Sequence, residues 1–182
     1  MNTTTRYKRL SKFLSLVLRH KPEQIGLALD EQGWVDFAVL LQALEQTDLN
    51  TSREELLAMI AANDKQRFSY DPRADRIRAA QGHSVEVSLG YSPLEPPAKL
   101  YHGTVDRFLG SIRSQGLIPG SRHHVHLSSD VDTATRVGGR RGTAVILTIN
   151  SGAMHREGIN FFKSDNGVSL CDHVPPRYID FP

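Results

Sequence analysis

Prolines at 93, 96 and 97, with glycine at 90, interrupt this sequence near its middle. Neither a helix nor a central strand tolerates that spacing, because each proline fixes φ and lacks an N–H. Gly90–Pro97 is therefore read as a domain boundary, with residues 1–90 and 99–182 as separate units and 91–98 as the linker. A chain of 182 residues is long enough for each unit to bury a core. The hydrophobic patterning changes across the boundary: helical spacing dominates before it, and short extended runs dominate after it.

The first half opens on a strong helical signal. Leu10, Phe13, Leu14, Val17 and Leu18 recur at intervals of three and four, which predicts a helix over roughly residues 6–20 with one buried face. Pro22 disfavours helix at Lys21, so Arg19, His20 and Lys21 are expected in the last turn. A guanidinium beside an imidazole on a rigid mount suits a phosphate. The plainer account is that cations at a helix C-terminus complement its dipole. Further on, Gly33-Trp34-Val35 reads as extended and ends at Asp36, an N-cap for a helix with Phe37, Leu40, Leu41 and Leu44. Ser52 and Glu55 form a capping box opening a third helix, with Leu56, Leu57 and Ile60 inward. Gln66–Tyr70, the turn at 71–75 and Arg76–Ala79 then read as a hairpin. Alternation puts Phe68 and Tyr70 on one face and Arg67 on the other. Three helices and a hairpin is the order of a winged-helix module, which serves both as a nucleic-acid binder and as a protein-binding scaffold.

The second half reads as a compact, β-rich α+β lobe. Lys99–His102 is expected to be a strand breaking at Gly103-Thr104. Asp106 caps a helix containing Phe108, Leu109 and Ile112 that ends at Gly116, and Pro119-Gly120 is a turn. His124–Leu127 is a strand with His124 and His126 on one face. Ser129 or Asp130 opens a short helix ending at Gly138-Gly139, and Ala144–Ile149 is a central strand. Asp165-Asn166-Gly167 is a turn before a strand at Val168–Leu170.

Charge and cysteine content narrow the chemistry. Net charge is +2, but residues 1–22 hold Arg6, Lys8, Arg9, Lys12, Arg19 and Lys21 and no acid. Such a stripe is either a solvated helix face or the footprint of a polyanionic partner. The single cysteine, Cys171, excludes internal disulfides and cysteine-rich zinc sites and fits a reducing compartment. The apolar run Phe13–Leu18 is too short for a membrane span and runs straight into Arg-His-Lys, so a cytoplasmic protein is expected.

Several nucleotide and hydrolase signatures are absent: no Walker-type loop, no Gly-x-Gly-x-x-Gly, no His-Glu-x-x-His and no Gly-x-Ser-x-Gly. His123, His124 and His126 lack obvious carboxylate partners, so no metal site is expected. His102-Gly103-Thr104 combines an imidazole, a close backbone approach and a hydroxyl, though a plain strand-to-helix turn explains it too. Gly138-Gly139-Arg140-Arg141-Gly142 sets two guanidinium groups between flexible glycines, which suits an anion; an exposed turn is the alternative. Arg19, His20, Arg67 and Arg140 together supply three guanidinium groups and one imidazole, with no carboxylate base in any of these motifs. That inventory fits charge stabilisation at a phosphate better than hydrolysis by an activated carboxylate or serine.

The order of short motifs resembles the tRNA (RNA) 2′-phosphotransferase family. They are Leu18-Arg19-His20-Lys21-Pro22, Gly26-Leu27 with Leu29-Asp30 and Gly33-Trp34-Val35, Asp64-Lys65-Gln66-Arg67-Phe68, Ile77-Arg78-Ala79 with Gln81-Gly82-His83-Ser84, Leu100-Tyr101-His102-Gly103-Thr104, His124-Val125-His126-Leu127-Ser128, Val137-Gly138-Gly139-Arg140 and Asn166-Gly167-Val168. The likeness runs from about Leu10 to Pro176. It implies an N-terminal winged-helix lobe that holds RNA and a C-terminal lobe of the ADP-ribosyltransferase fold that holds NAD+ as co-substrate. It implies removal of an internal RNA 2′-phosphate through an ADP-ribosylated intermediate. The products would be 2′-hydroxyl RNA, ADP-ribose 1″,2″-cyclic phosphate and nicotinamide, formed without a metal and without a membrane, by a monomer acting on tRNA-like RNA in splicing and tRNA processing.

By the same resemblance, the family's catalytic tetrad falls on Arg19, His20, Arg67 and Arg140, and its NAD site on His102, Gly103, Thr104, His126 and Ser128. Where protein-modifying relatives of the fold carry a catalytic glutamate, the corresponding place in this chain falls near Val168, an apolar residue. An acceptor that is already anionic, such as a phosphate, would need no such base. Ser169 and Arg141 depart from the family pattern, which more often has an aromatic and a histidine there. Two other functions are consistent with the sequence: capping of terminal RNA or DNA phosphates with ADP-ribose, and a non-catalytic winged-helix regulator that binds nucleic acid.

Overall fold

In a computed structural model of the chain, residues 3–63 and 65–182 are described; Asp64, which opens the third motif, lies outside them. The chain divides into two compact units, Met1–Gly90 and Tyr91–Pro182. Each is mixed α/β with small antiparallel sheets.

In the first unit, helix α1 covers Thr3–Val17, α2 Phe37–Glu45 and α3 Arg53–Ala61. Leu10, Leu14, Val17 and Leu18 are buried, with Phe13 packed against the same core. The regular helix stops at Val17, so Arg19 and His20 follow it rather than ending it. The chain still turns in helical fashion there: Leu18 N–H donates to the Leu14 carbonyl at 2.9 Å and His20 N–H to the Leu16 carbonyl at 2.9 Å. A 3₁₀ turn at Pro22–Ile25 then leads away.

Asp36 caps α2 as read, whereas Ser52 caps α3 without the reciprocal half of a capping box. Asp36 accepts from the Ala38 and Val39 N–H groups, at 2.8 and 3.1 Å, and Ser52 accepts from Glu55 N–H at 3.2 Å. The Glu55 carboxylate, however, turns to the Arg6 guanidinium and the Thr51 hydroxyl. Helix α3 buries Leu56 and Met59, while Leu57 and Ile60 lie at the edge of the core.

Strands β1 (Val35–Asp36), β2 (Phe68–Asp71) and β3 (Arg76–Ala79) form a sheet in the order β1-β3-β2. Ile77 pairs with both Val35 and Tyr70, and is fully buried. Arg78 is also buried. Its guanidinium lies 4.6 Å from the Trp34 ring centre and donates to the Gln32 and Leu89 carbonyls, at 3.3 and 3.1 Å. This arginine ties two loops to the hairpin.

In the second unit, β4 spans Leu100–Val105, β5 Val125–Leu127, β6 Ala144–Ile149, β7 Phe162–Lys163, β8 Ser169–Cys171 and β9 Ile179–Asp180. They form two sheets, β4-β6-β9 and β5-β8-β7. Strand β6 is central, as its apolar run predicts. A bridge links the sheets: Tyr101 and Ser128 exchange both backbone hydrogen bonds at 2.8 Å. Helices α4 (Leu109–Gln115), α5 (Val131–Gly138) and α6 (Ser151–Arg156) complete the unit. Leu100, Leu127, Leu147, Ile149 and Phe161 form its core.

Strand β4 does not break at Gly103. It continues to Val105, with Gly103 opposite Ile146 and Thr104 opposite Val145. The glycine serves packing against α5. A Cβ on Gly103 would lie 1.8 Å from the Ala134 carbonyl oxygen, and one on Gly138 would lie 2.8 Å from Gly103 C. Two residues without side chains let α5 lie directly on the strand.

Candidate active site

The first unit gathers Arg19, His20 and Arg67 through the backbone. The segment after β3 returns to the end of α1, where the N–H groups of Ser84 and Val85 donate to the Arg19 carbonyl at 2.8 and 3.2 Å. The same serine's hydroxyl lies 2.8 Å from His20 Nδ1. Arg67 precedes β2, and its carbonyl accepts from Ala80 N–H at 2.9 Å and from Arg19 Nη2 at 3.4 Å. Arg67 Nη1 reaches Asn63 Oδ1 at 3.5 Å, and Asn63 Nδ2 donates to the Ser11 hydroxyl at 3.1 Å. His20 is exposed, while Arg19 and Arg67 are half-buried.

Arg19 and Arg67 open onto a groove of about 670 Å³ that is also lined by Lys8, Lys12 and Lys65. Among the described residues lining it there is no carboxylate. Five cations converging on one concave surface create a field that holds anions.

The second unit builds its candidate site where β4, β5 and α5 meet. Half-buried His102 has its Nδ1 3.2 Å from the His126 carbonyl oxygen. A carbonyl only accepts, so His102 Nδ1 carries the hydrogen. Burial holds this imidazole below its ordinary value; the same hydrogen bond opposes that shift and the Arg141 cation adds to it. His102 is therefore neutral near pH 7 and presents Nε2 as an acceptor.

His126 shows the opposite arrangement. Arg122 Nη1 lies 2.7 Å from its Nδ1. A guanidinium has no acceptor, so Nδ1 must accept and Nε2 carries the hydrogen. Two neutral rings thus offer one acceptor and one donor. Partial burial pushes the Arg122 guanidinium below its ordinary range, with the nearby Arg141 and Arg140 cations adding to the effect. Arg140 and Arg141 sit on a 3₁₀ turn, Gly139–Arg141, that continues directly from α5. The glycine contact between Gly103 and Gly138 therefore seats the Arg140 turn against β4.

Ser128 is held beside Tyr101 by the bridge between the sheets, and Thr104 is buried on β4. Gly103 makes its close approach to α5. Arg122 and Ser84 were not singled out from the sequence as functional residues. Ser84 lay within a family motif, and Arg122 is four residues before His126, but their contacts depend on turns that periodicity does not describe.

Among the described residues no group of three or more His, Cys, Asp or Glu is arranged to hold a metal ion. Burial pushes the Cys171 thiol up to about 12, so it is a packing residue rather than a nucleophile. No described helix is long and apolar enough to cross a membrane.

Comparison with known proteins is consistent across nearly the whole chain. Residues 5–173 match the family described as RNA 2′-phosphotransferase, Tpt1 / KptA family. A probable RNA 2′-phosphotransferase of Streptomyces griseus is 54% identical over 178 residues, covering 94% of each chain. Proteins with the same description from Flavobacterium johnsoniae and Burkholderia pseudomallei are 51% and 52% identical over 174 residues, covering 96% of this chain and 96% and 95% of theirs. Identity of this extent, over both units, makes the chain a member of the RNA 2′-phosphotransferase family of transferases.

Proposed function

We propose that the chain removes an internal 2′-phosphate from RNA by transferring it to NAD+, and that its substrates are tRNA-like RNAs carrying the mark left by splicing. The observation that carries this reading is that Arg19, next to His20 in the chain, and Arg67 both line a basic groove with no carboxylate among its described lining residues. On this reading, residues 1–90 are a winged-helix RNA-binding lobe, 91–98 a linker, and 99–182 an NAD-binding lobe of the ADP-ribosyltransferase fold. The protein acts as a cytoplasmic monomer, and the reaction as written uses no metal.

In the first step, a lone pair on a phosphate oxygen attacks C1″ of the nicotinamide riboside. The C1″–N bond breaks and neutral nicotinamide leaves with the bonding pair. Arg19 and Arg67 hold the phosphate and orient it, lowering the entropic cost of attack. In the second step, the neighbouring O2″ attacks phosphorus and loses its proton. The RNA 2′-oxygen leaves and takes up a proton. His20 holds the phosphate and handles that proton traffic, while Arg140 stabilises the charge that builds on phosphorus. The attacking phosphate is already anionic and needs no carboxylate base, which agrees with an apolar residue at Val168.

The donor set of the second unit fits a dinucleotide. His102 supplies an acceptor and His126 a donor for riboside hydroxyls, the Thr104 and Ser128 hydroxyls and the backbone at Gly103 complete the polar lining, and the Arg122, Arg140 and Arg141 cations suit a diphosphate. Incubation with a 2′-phosphorylated RNA and NAD+ should release nicotinamide and leave a 2′-hydroxyl. A stable ADP-ribose adduct on a 5′-phosphorylated strand, with the 2′-phosphate untouched, would favour terminal capping. RNA binding with no consumption of NAD+ would favour a regulator.

A further inference from the structure

The cations of α1 divide into two sets. Arg6 pairs with Glu55, and Arg9 Nη2 with Asp48 Oδ2 at 2.7 Å. These arginines brace the helix against its own unit. Lys8 and Lys12 are exposed, line the groove, and pair with no carboxylate among the described residues. Lys8, Lys12, Ser15 and Arg19 follow one another at intervals of four, three and four, so they lie along one face of the helix. At 1.5 Å per residue, Lys12 and Lys8 stand about 10 and 16 Å back along the helix from Arg19. Tyr7 lines the same groove and gives it an aromatic surface.

We infer that this groove is a track for single-stranded RNA. Arg19 and Arg67 hold the 2′-phosphate at one end, and the strand on one side of the modified nucleotide runs back along α1. Lys12 and Lys8 neutralise two successive backbone phosphates, and Tyr7 offers its ring to a base. Two exposed lysines on one helix face beside an aromatic group suit a flexible strand, whose bases are free to stack; a duplex keeps its bases paired. The inference rests on reading Arg19 and Arg67 as holders of the RNA 2′-phosphate. It adds that affinity grows with RNA length through lysines that do no chemistry.

The test compares two 2′-phosphorylated RNAs: a trinucleotide, and the same unit extended by roughly six nucleotides, an ordinary length for a single-strand groove. Affinities are measured without NAD+ over a range of salt, for the wild type and for Lys8→Gln/Lys12→Gln. Glutamine keeps helix propensity close to that of lysine, so the variant is expected to fold. Two lost phosphate contacts should reduce the slope of log affinity against log salt by about 1.4 for the long RNA. The trinucleotide should show the same slope in both proteins, and Lys8→Arg/Lys12→Arg should restore the long-RNA slope. Extending the RNA on its 5′ or 3′ side alone identifies the strand. Equal slopes in wild type and variant for the long RNA would overturn the track. Loss of the length-dependent slope with no NAD-dependent turnover of any 2′-phosphorylated RNA would overturn the functional reading and leave the RNA track standing.

Discussion

His20 and Ser84 form a unit, although 64 positions separate them in the sequence: His20 Nδ1 lies 2.8 Å from the serine hydroxyl, and the serine N–H donates to the carbonyl of the adjacent Arg19 at 2.8 Å. One serine thus sets the ring of one candidate catalytic residue and the backbone of another. Ser84→Ala removes only the first of these contacts. It should change stability by about 1 kcal/mol or less, because His20 is exposed and water replaces the bond. Turnover should fall about tenfold, equivalent to about 1.4 kcal/mol in the barrier. Ser84→Thr should recover most of it. Steady-state rates beside thermal melts check this, and an unchanged rate in the alanine variant would show that the ring needs no partner.

Arg122 should act through His126 rather than by charge alone. With the guanidinium donating to Nδ1, ¹⁵N NMR should show a single neutral tautomer with the hydrogen on Nε2. Arg122→Met should give a mixture of tautomers and raise KM for NAD+. Arg122→Lys, which restores a donor, should recover much of the loss. A single Nε2–H tautomer persisting in Arg122→Met would assign ring orientation to another group.

Burial makes the fold sensitive to acid. His102 lies below its ordinary value of 6.5 through burial, and so does His124, where Asp172 opposes the shift. The unfolded chain therefore binds protons at these rings before the native state does. Their contribution to stability is complete above about pH 6.5 and is lost as pH falls toward the native values, by up to about 1.4 kcal/mol per pH unit for each ring. Urea unfolding between about pH 7.5 and 5.5 should show this decline. The decline should be shallower in His102→Gln, and parallel curves would contradict the assignment.

The packing of α5 on β4 separates two glycines that look alike in sequence. Gly103→Ala would force a methyl group into the Ala134 carbonyl and should cost at least about 3 kcal/mol, with loss of the Arg140 geometry. Gly139→Ala meets nothing within 4 Å and should melt within a degree or two of the wild type, about half a kcal/mol. Thermal denaturation of the two variants decides it; similar melting temperatures would contradict the close crossing.

Local signals were readable where local physics decides. The Leu10, Leu14 and Leu18 stripe, the Asp36 and Ser52 caps, and the central β6 follow from periodicity and side-chain chemistry. Gly103 misled because its reason is a helix more than thirty positions later: a glycine at a strand end and one beneath a crossing helix look the same in sequence. Met59 replaced Leu57 and Ile60 in the core because the rotation of α3 is set by what it packs on. Arg19, His20 and Arg67 were legible as residue types, whereas the Asn63, Ser84 and Arg122 contacts that orient such groups depend on long-range return of the chain.

Arg140 provides the sharpest division of the proposed reaction into steps, because the role proposed for it lies in the second one. A single-turnover experiment with an RNA carrying one labelled internal 2′-phosphate, with and without NAD+, follows the label directly. Wild type should move it, only with NAD+, into ADP-ribose cyclic phosphate, passing through a transient adduct. Arg140→Ala should form the adduct and hold it, with resolution slowed by about a hundredfold or more, the scale of removing one charge-stabilising donor. Label that stays on the RNA in the wild type, with or without NAD+, would contradict the account at its centre.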